Sequence, residues 1–467
     1  MSAETARARA LAQFDDPSGY LAALARLVAV PTESQNPDRA AALAVYLTDA
    51  VGPLFSALGY ALRIFDNPQG GPILLAERDE KAPLTVLSYG HGDVIRGQEG
   101  CWRNGRSPWA LSIEQDRAYG RGVADNKGQH LAHLTALSAI LAMRGRLGFN
   151  HRFIIEMGEE NGSRGFRPIV QADPTPFQAD VFLASDGPRT ALARPNITLG
   201  TRGVANFDLV CELRDGGHHS GNWGGLLANP ALILAGAIAA ICDRKGRIRV
   251  PGWEAGPVPG AVRTALSGLT RDAGEAGPRI DPDWGVPGLS AMEKVTATNT
   301  FEVLALLSGT PDQPVNAIPP RARAACQLRY VVSTDPEAIL PALRAHLDEN
   351  GFASVAIEAP DRANAIAFQA TRTDPADPWA VWVRKAVEAA SGRACGVLPN
   401  SGGSNVTEVM QYDLKMPTVW LPLSYAGCNQ HAPDEHILLP LMREGIDIAT
   451  ALYWDLGSPD GYRPEPA

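Results

Sequence analysis

Several features that mark special classes of protein are missing from this 467-residue sequence. Its six cysteines lie far apart with no C-x-x-C pair, which argues against a disulfide framework and against sulfur metal ligands; we expect buried thiols instead. The formal net charge is −9 and no basic cluster occurs, so nucleic acid is not an expected partner. The sequence starts without an apolar signal core and contains no run of about 18 apolar residues, so we expect a cytoplasmic protein without a membrane partner.

What is present is an ordinary globular composition, with 45% hydrophobic and 20% charged residues. A chain of this length is too long for one compact core, so we expect two domains. Apolar strand-like runs near 84–89, 153–157 and 181–185 alternate with helical apolar spacing near 17–31, 38–58 and 127–143. This alternation predicts an α/β domain with a mostly parallel sheet and helices on both faces, in which sites form beyond the carboxyl ends of strands.

The pattern changes near Ile197, where a long run predicts a strand or a bent hairpin strand. The elements that follow have the order β-α-β-β-α-β, which is the ferredoxin-like arrangement. They are a helix over 230–244, strands starting near 301 and 321, a helix over 336–349 and a strand near 353–359, with a Gly- and Pro-rich segment over 251–290 expected to be irregular. We therefore predict an inserted α+β domain over 197–371 within a discontinuous domain of 1–196 and 372–467, with hinges near 195–200 and 370–378.

Histidines and acidic residues occupy positions where strands should end. They are His91, Asp125, the pair Glu159–Glu160, Asp186 and His431, and several precede a glycine, which lets the backbone turn and approach a bound group. Taken singly, each has an ordinary explanation as a turn, a solvated pair or a core histidine. Taken together, two imidazoles and several carboxylates predict a site for two divalent metals with nitrogen and oxygen ligands.

These residues belong to a series of motifs that spans nearly the whole chain. The motifs are H-G-D at 91–93, G-R-G-V-A-D-N-K-G at 120–128, G-E-E-N-G-S at 158–163, S-D-G at 185–187, H-H-S-G-N-W-G-G at 218–225, N-A-I-P at 316–319, G-G-S at 402–404 and H-A-P-D-E at 431–435. In this order they resemble the di-zinc metallopeptidase family that includes aminoacylase, carnosinase-type dipeptidases and carboxypeptidase G. The resemblance implies that the inserted ferredoxin-like domain is a lid and dimerisation domain of a homodimer.

The resemblance also implies a centre of two divalent metal ions, Zn²⁺ first, with Mn²⁺ and Co²⁺ as alternatives. It implies His91 and Asp186 as ligands of one metal, Glu160 and His431 as ligands of the other, Asp125 as the bridging ligand, Glu159 as the general base, and Asp93 as the residue that orients His91. The chemistry agrees, because a carboxylate can hold two metals and an imidazole cannot. A glutamate can take the proton of a water whose pKa a metal lowers towards about 7. A cis peptide bond after Asp125 is expected.

For the substrate, the resemblance implies a histidine that polarises the scissile carbonyl from a partner subunit. His219 is the expected residue and His218 is the alternative. Arg329 would hold the terminal carboxylate of the substrate by a two-point ion pair, with Arg323 on the same strand as the alternative. Gly402, Gly403 and Ser404 would donate hydrogen bonds to the same end, although many relatives have an arginine where this chain has Asn400–Ser401.

The expected function is hydrolysis of the amide bond of dipeptides or similar small substrates with a C-terminal carboxylate, by a hydroxide held between the metals with Glu159 as the base. An N-acyl-amino-acid deacylase is the alternative enzyme, and a catalytically silent relative is the third reading. The two enzymes differ on the amine side of the substrate. There, Trp102, Trp109 and Trp223 are either lining residues or ordinary core and surface aromatics.

Overall fold

The computed structural model of the chain describes residues 2–271, 278–360, 367–459 and 461. The first part contains helices α1 (Ala3–Asp15), α2 (Tyr20–Val28), α3 (Ala40–Val45), α4 (Gly52–Ala57), α5 (Lys127–Arg144) and α6 (Phe166–Ala172), and strands β1 (Ala61–Phe65), β2 (Ile73–Arg78), β3 (Thr85–His91), β4 (Ser112–Glu114), β5 (Arg117–Tyr119), β6 (Asn150–Glu156), β7 (Val181–Ala184), β8 (Pro188–Arg189) and β9 (Asn196–Thr198). The middle part contains β10 (Gly203–Glu212), β11 (His218–His219), α7 (Ser220–Trp223), α8 (Pro230–Ile241), α9 (Gly260–Leu266), α10 (Ala291–Thr296), β12 (Thr300–Ser308), β13 (Ala317–Ile318), β14 (Arg321–Tyr330), α11 (Ile339–Glu349) and β15 (Val355–Glu358). The last part contains α12 (Pro378–Ser391), β16 (Gly396–Leu398), β17 (Thr418–Trp420), β18 (Ser424–Tyr425), β19 (His436–Leu438) and α13 (Leu439–Leu456).

An eight-stranded sheet, here called the large sheet, has the order β1-β2-β6-β3-β7-β17-β9-β16. Its central strands β6, β3, β7 and β17 are parallel to one another, whereas β1 and β2 run antiparallel to their neighbours. The prediction of a mixed α/β fold with a central, mostly parallel sheet is confirmed. Because parallel strands end at the same edge, the segments that follow β3, β6 and β7 meet there.

Helices cover both faces of the large sheet, and each face has its own apolar cluster. Strand β2 shows the division: Leu74 and Ala76 pack into the cluster that contains side chains of α1, α5 and α13. Ile73 and Leu75 point the other way and join the cluster that contains side chains of α6. A strand that is buried on both faces needs a continuous apolar run, which is why β3, β6 and β7 could be predicted from the sequence.

The helical stretch over 37–57 is long and apolar enough, by length and composition, to cross a membrane. In this fold one side of the stretch packs into the core beside the large sheet. Its buried side chains are Leu43, Tyr46, Leu47, Val51 and Phe55. Packing of one helix face against a core requires the apolar residues that give the stretch this composition.

A four-stranded antiparallel sheet, here called the small sheet, has the order β12-β14-β10-β15. Its elements follow one another in the chain as β10, α8, β12, β14, α11 and β15, with α7, α9 and α10 as short additional helices. Helices α8 and α11 pack against one face, where Leu209, Leu234, Leu328 and Leu343 are fully buried. The alternate residues of β14, Arg321, Arg323, Ala325, Gln327 and Arg329, face the opposite side and are mostly polar.

Two segments differ from the sequence prediction. The single run from Ile197 is divided, with β9 pairing in the large sheet and β10 in the small sheet. Gly200 lies between them, where a Cβ atom would stand 2.1 Å from the carbonyl oxygen of Thr371. The two connections between the sheets therefore run in close contact, and a larger residue would push them apart. The segment over 251–290, predicted to be irregular, contains helix α9, whose apolar side chains Val262 and Leu266 are buried.

The six cysteines are free thiols, as the spacing predicted. Cys211, Cys326, Cys395 and Cys428 are buried, Cys242 is partly buried and Cys101 is exposed. The expectation of buried thiols therefore holds for four positions and is wrong for Cys101, which follows a Gly-containing loop after β3.

Candidate metal centre and substrate cleft

The end of each central strand of the large sheet contributes a polar side chain to one place. Strand β3 ends at His91, Glu159 and Glu160 follow β6, and Asp186 follows β7. Asp125 arrives from the loop before α5, and His431 from the loop before β19. Because β6, β3 and β7 are parallel neighbours, they bring His91, Glu159, Glu160 and Asp186 together, as the sequence predicted. Asp125 and His431 reach the same place from loops.

These side chains form two groups that could each hold a metal ion. One group consists of His91, Asp125 and Asp186, and the other of Asp125, Glu160 and His431, with the possible ligand atoms of each group within 4.8 Å of one another. Each group offers one imidazole nitrogen and carboxylate oxygens, a donor set that suits Zn²⁺, Mn²⁺ or Co²⁺. The residues therefore fit two divalent cations that share Asp125.

The carboxylate of Asp125 points one oxygen at each group. Its Oδ1 lies 2.9 Å from Nε2 of His91, and its Oδ2 lies 3.0 Å from Nε2 of His431. The same nitrogen of His431 lies 3.2 Å from Oε2 of Glu160. A carboxylate that faces two ligand groups with different oxygens has the arrangement that a bridging ligand requires.

Two residues that sequence reasoning had not assigned hold the loop of Asp125. Glu435 is buried, and its carboxylate accepts hydrogen bonds from the backbone N–H of Gly122 (3.1 Å), Ala124 (2.9 Å) and Asp125 (3.1 Å). Asn126 donates from Nδ2 to Oδ1 of Asp186 at 3.1 Å. The Asp125–Asn126 peptide bond is cis, as expected. The only sequence signal for Glu435 was its place in H-A-P-D-E.

Asp93 lies behind the two glutamates as well as beside His91. Its carboxylate accepts hydrogen bonds from the backbone N–H of Glu159 at 3.2 Å and of Glu160 at 3.1 Å. Nδ1 of His91 lies 3.0 Å from the carbonyl oxygen of Asp93 and 3.5 Å from its carboxylate. The backbone of Asp93 therefore fixes the imidazole more directly than its side chain does, and the side chain fixes the turn that carries both glutamates.

The carboxyl groups of the centre stand close together in a buried place. Burial, together with the charge of Asp125, raises the pKa of Glu160 to about 7 and that of Asp186 to about 6. Burial also raises the pKa of Glu159 well above its usual value. Like charges and low solvent access disfavour the ionised forms, so a cluster of this kind is stabilised by cations bound among the carboxylates.

The centre forms one wall of a cavity of about 800 Å³ that reaches the middle part of the chain. Asp125, Glu159, Asp186 and His431 line the wall on the side of the large sheet. Gly402, Gly403 and Ser404 line the cavity further along, as the prediction for a substrate site requires. We call this cavity the cleft.

Arg329 does not itself line the cleft but lies directly behind Ser404. Its Nη1 donates to Oγ of Ser404 at 2.9 Å and its Nε donates to Gln327 at 2.8 Å. Arg323, the alternative on the same strand, forms an ion pair with Asp208. Of the two candidate arginines on β14, Arg329 is therefore the one next to the predicted substrate residues.

The remaining candidates lie away from the cleft. His219 is exposed on the two-stranded sheet of β11 and β13, where Nδ1 accepts a hydrogen bond from the backbone N–H of Gly221 at 3.1 Å. Trp102 is buried with its indole N–H donating to Gly97, whereas Trp223 is 45% exposed. Trp109 donates to Glu99. None of these four is among the described residues that line the cleft.

Two residues of the cleft had not been singled out from the sequence. Arg202, which directly precedes β10, and Trp420, at the end of β17, both line it. Arg202 is only 7% exposed and donates from Nε to the carbonyl oxygen of Gly402 at 3.1 Å. No spacing pattern marks either residue, because each reaches the cleft only through the pairing of distant strands.

Comparison with known proteins identifies the family. The family model described as peptidase family M20/M25/M40 matches residues 87–455. The Beta-Ala-His dipeptidase of Mus musculus is 26% identical over 410 residues, covering 82% of this chain and 80% of that protein. The Cys-Gly metallodipeptidase dug1 of Schizosaccharomyces pombe is 25% identical over 414 residues, covering 83% of each chain.

Among solved structures, human carnosine dipeptidase 1 has the same fold. The TM-score is 0.79 at 22% sequence identity, covering 97% of this chain and 98% of that one. The family match spans the five candidate ligand positions, from His91 to His431, the small sheet, and the large sheet apart from β1, β2 and the start of β3. The chain belongs to peptidase family M20/M25/M40.

Proposed function

We propose that this protein is a metal-dependent hydrolase that cleaves dipeptides, or similar small amides with a free C-terminal carboxylate. The observation that carries the proposal is the position of Asp125, which faces a different ligand group with each oxygen at the wall of a cleft. The names of the relatives, a Beta-Ala-His dipeptidase and a Cys-Gly metallodipeptidase, support a dipeptide as substrate.

Two divalent cations are the proposed cofactor, Zn²⁺ first and Mn²⁺ or Co²⁺ as alternatives. His91 and Asp186 would hold one, Glu160 and His431 the other, and Asp125 would bridge them. Bound there, the cations would polarise the scissile carbonyl and lower the pKa of the attacking water towards neutrality.

Glu159 is the proposed general base. It is half-buried, lines the cleft and belongs to neither ligand group. It would take a proton from the attacking water and return it to the nitrogen of the leaving amine as the carbon–nitrogen bond breaks. Burial raises the pKa of its carboxyl group, which brings it towards the range in which both transfers are efficient. Asp93 would position Glu159 by holding its backbone N–H.

The substrate carboxylate would lie at the opposite end of the cleft. Gly402 and Gly403 would offer backbone N–H groups there, and Ser404 its hydroxyl group. Arg329 would bind the carboxylate after moving past Ser404, with which it now shares a hydrogen bond. Burial lowers the pKa of Arg329, but a guanidinium keeps its charge.

We propose that the middle part of the chain, about 197–371, is a ferredoxin-like lid and dimerisation domain. Its two connections to the large sheet pair through backbone hydrogen bonds between Thr201 and Thr371, so both would bend at one place. Its edge strand β12 exposes Val303, Leu304, Leu306 and Leu307 in one run. An exposed apolar edge strand pairs readily with another strand, and a second copy of this chain would cover it.

Dimerisation would also explain the place of His219. Within one chain it lies outside the cleft, so a role at the scissile carbonyl requires a partner subunit to bring it there. A cytoplasmic location stays a prediction from the sequence.

The decisive experiment compares two neighbouring glutamates. Glu159→Gln should keep the metal content and lose about 10²- to 10⁴-fold in kcat, as expected when a general base is removed. Glu160→Gln should lower the metal content itself. Metal content is measured by plasma mass spectrometry, and turnover by product detection from a pool of dipeptides and N-acyl amino acids, with and without a chelator.

Each outcome has a definite meaning. Chelator-sensitive release of amino acids from dipeptides supports the proposal, and release only from acylated substrates would make the protein a deacylase. Near-normal turnover by Glu159→Gln would refute the assigned base. Silence in both pools with metal bound would indicate a catalytically silent relative.

A further inference from the structure

The wall of the cleft that faces the metal centre carries arginines without acidic partners. Arg202 donates from Nε to Gly402 and from Nη1 to the carbonyl of Thr298 (3.4 Å) and the hydroxyl of Thr300 (3.3 Å). These three acceptors are uncharged, and within the described residues Nη2 has no hydrogen-bond partner. Arg202 thus keeps a full charge and an unused donor group at the cleft.

Arg202 is one of three arginines in this place. Arg271 is exposed and lines the same cleft, and Arg329 lies behind Ser404. None of the three makes an ion pair with a carboxylate of the described chain, whereas their neighbour on the small sheet, Arg323, does. Arginines that lie close together without acidic partners repel one another, and a bound anion would offset this repulsion.

The charge balance around Arg202 leaves two positive charges uncompensated. Burial lowers the pKa of Arg202 to about 10, the charges of Arg329 and Arg271 act in the same direction, and Glu302 opposes them. A second cavity beside the cleft is lined by five cationic side chains (Arg202, Arg247, Arg263, Arg271 and Lys294) and three acidic ones (Glu254, Asp281 and Glu302), an excess of two positive charges. A single α-carboxylate would compensate only one of these charges.

There is also room for a second anionic group. The second cavity, of about 730 Å³, adjoins the cleft, and both are lined by Arg202, Arg271, Ile280 and Val295. A side chain on the C-terminal residue of a substrate would pass these shared residues, while its α-carboxylate stays at Gly403, Ser404 and Arg329.

We infer that the enzyme prefers substrates whose C-terminal residue is itself acidic, aspartate or glutamate, with Arg202 and Arg271 holding the side-chain carboxylate and Arg329 the α-carboxylate. Arg202 and Arg271 are then specificity-determining residues. This inference rests on the proposed function for the position of the α-carboxylate.

The first test compares isosteric dipeptides on the metal-loaded enzyme. Ala-Glu and Ala-Asp should have kcat/KM values roughly tenfold or more above those of Ala-Gln and Ala-Asn, since a charge-assisted hydrogen bond adds this much to binding. Arg271→Met, a change at an exposed position, should remove most of this preference, measured as the ratio of kcat/KM for Ala-Glu to that for Ala-Gln. Arg202→Met should also lower this ratio and, because Arg202 holds Gly402, should reduce the rates on both substrates. Equal rates for Ala-Glu and Ala-Gln would overturn the inference.

Arg247→Met is the matched control, because Arg247 lines the second cavity but not the cleft. It should retain the preference for Ala-Glu. A loss of preference equal to that of Arg271→Met would show a general charge effect and refute the assigned residues.

A second test does not depend on turnover. Glutarate has the two carboxylates of glutamate, and 4-carbamoylbutyrate replaces one of them by an amide. Calorimetric titration of the metal-loaded protein should show glutarate binding roughly tenfold more tightly, and Arg271→Met should remove the difference. Equal affinities for glutarate and 4-carbamoylbutyrate would overturn the inference, whether or not the protein cleaves dipeptides. A failure to cleave any dipeptide would instead refute the proposed function.

Discussion

The two sheets of this protein differ in how completely one chain covers them. The large sheet has helices on both faces, and its two apolar clusters are closed by side chains of the same chain. Among the described residues, helices α8 and α11 pack on one face of the small sheet, and its edge strand β12 exposes Leu304 at 56% and Leu306 at 58%. Both candidate ligand groups therefore lie within one chain, whereas the middle part has an exposed apolar edge strand.

Because of this difference, we expect substitutions on the two sheets to have different effects. Changes at the ends of the large-sheet strands should act on metal binding and on stability, and changes on the small sheet should act on association and on the substrate. The following predictions test this separation, from the largest expected effect to the smallest.

Asp125→Ala should have the largest effect, because this carboxylate faces both ligand groups. We expect the loss of both metals and a fall in kcat of roughly 10³-fold or more, since a catalytic metal supplies several kcal/mol to the transition state. Plasma mass spectrometry and turnover of a dipeptide measure the two effects. Asp116→Ala, a change of a largely exposed carboxylate, is the control; full metal content in Asp125→Ala would contradict the assignment.

His219→Ala should lower kcat by about 10²-fold, as the loss of one donor to the developing oxyanion does, while the metal content stays normal. Mixing His219→Ala with Asp125→Ala subunits should restore part of the activity, because a mixed dimer contains one site with intact metal ligands and an intact partner histidine. His218→Ala is the control from the adjacent position. Without any recovery in the mixture, the histidine does not act across subunits.

Replacement of Leu304 and Leu306 by glutamate should weaken the dimer, because like charges would face each other across the edge of β12. Sedimentation velocity should show monomers at concentrations where the unchanged protein is dimeric, with a dissociation constant raised roughly tenfold or more. Ile64→Glu on β1, the edge of the large sheet, should leave the mass unchanged; Ile64 is 47% exposed. If the substitutions on β12 and on β1 raise the dissociation constant equally, the two edge strands do not differ in their role in association.

The smallest expected effect is on the pH dependence of stability, and it comes from a network of buried, hydrogen-bonded side chains beside the large sheet. His133 lies 2.6 Å from Oγ of Ser185 and 2.7 Å from the hydroxyl of Tyr453, and His151 lies 3.0 Å from Ser88. Burial lowers the pKa of His133 to about 4 and that of His151 to about 3. Below about pH 6.5 these histidines bind protons in the unfolded chain but not in the folded one. The stability that their neutral forms contribute is therefore complete above pH 6.5 and is lost as the pH falls.

Between pH 6.5 and 5 the free energy of unfolding should fall by about 2 kcal/mol for each of these histidines. Guanidinium unfolding at several pH values measures this slope. His133→Gln should lower stability at pH 7.5 but reduce the slope. An unchanged slope in His133→Gln would show that His133 does not remain neutral in the folded protein.

The strands that carry the metal centre could be predicted because each is buried on both faces. Strands β3, β6 and β7 each contain a short apolar run and are followed within three residues by a glycine, which is a local signal. Strand β2 has a similar buried apolar run but was not predicted, and strands β1 and β4 are exposed or half-buried and carry no such run. Arg202 could not be predicted as a site residue, because its distinguishing feature is a hydrogen bond to Gly402, two hundred residues away in the chain.

The sequence by itself determined the alternation of elements in the first part, the ligand types and the order of the motifs. Only the tertiary structure decided that Asp125 faces both ligand groups, that Glu435 holds its loop and that Asp93 supports both glutamates. The physical reason is that periodicity and turn chemistry act between residues close in the chain. Distances between atoms in a site depend on how separate strands pair and on which loops their neighbours hold in place.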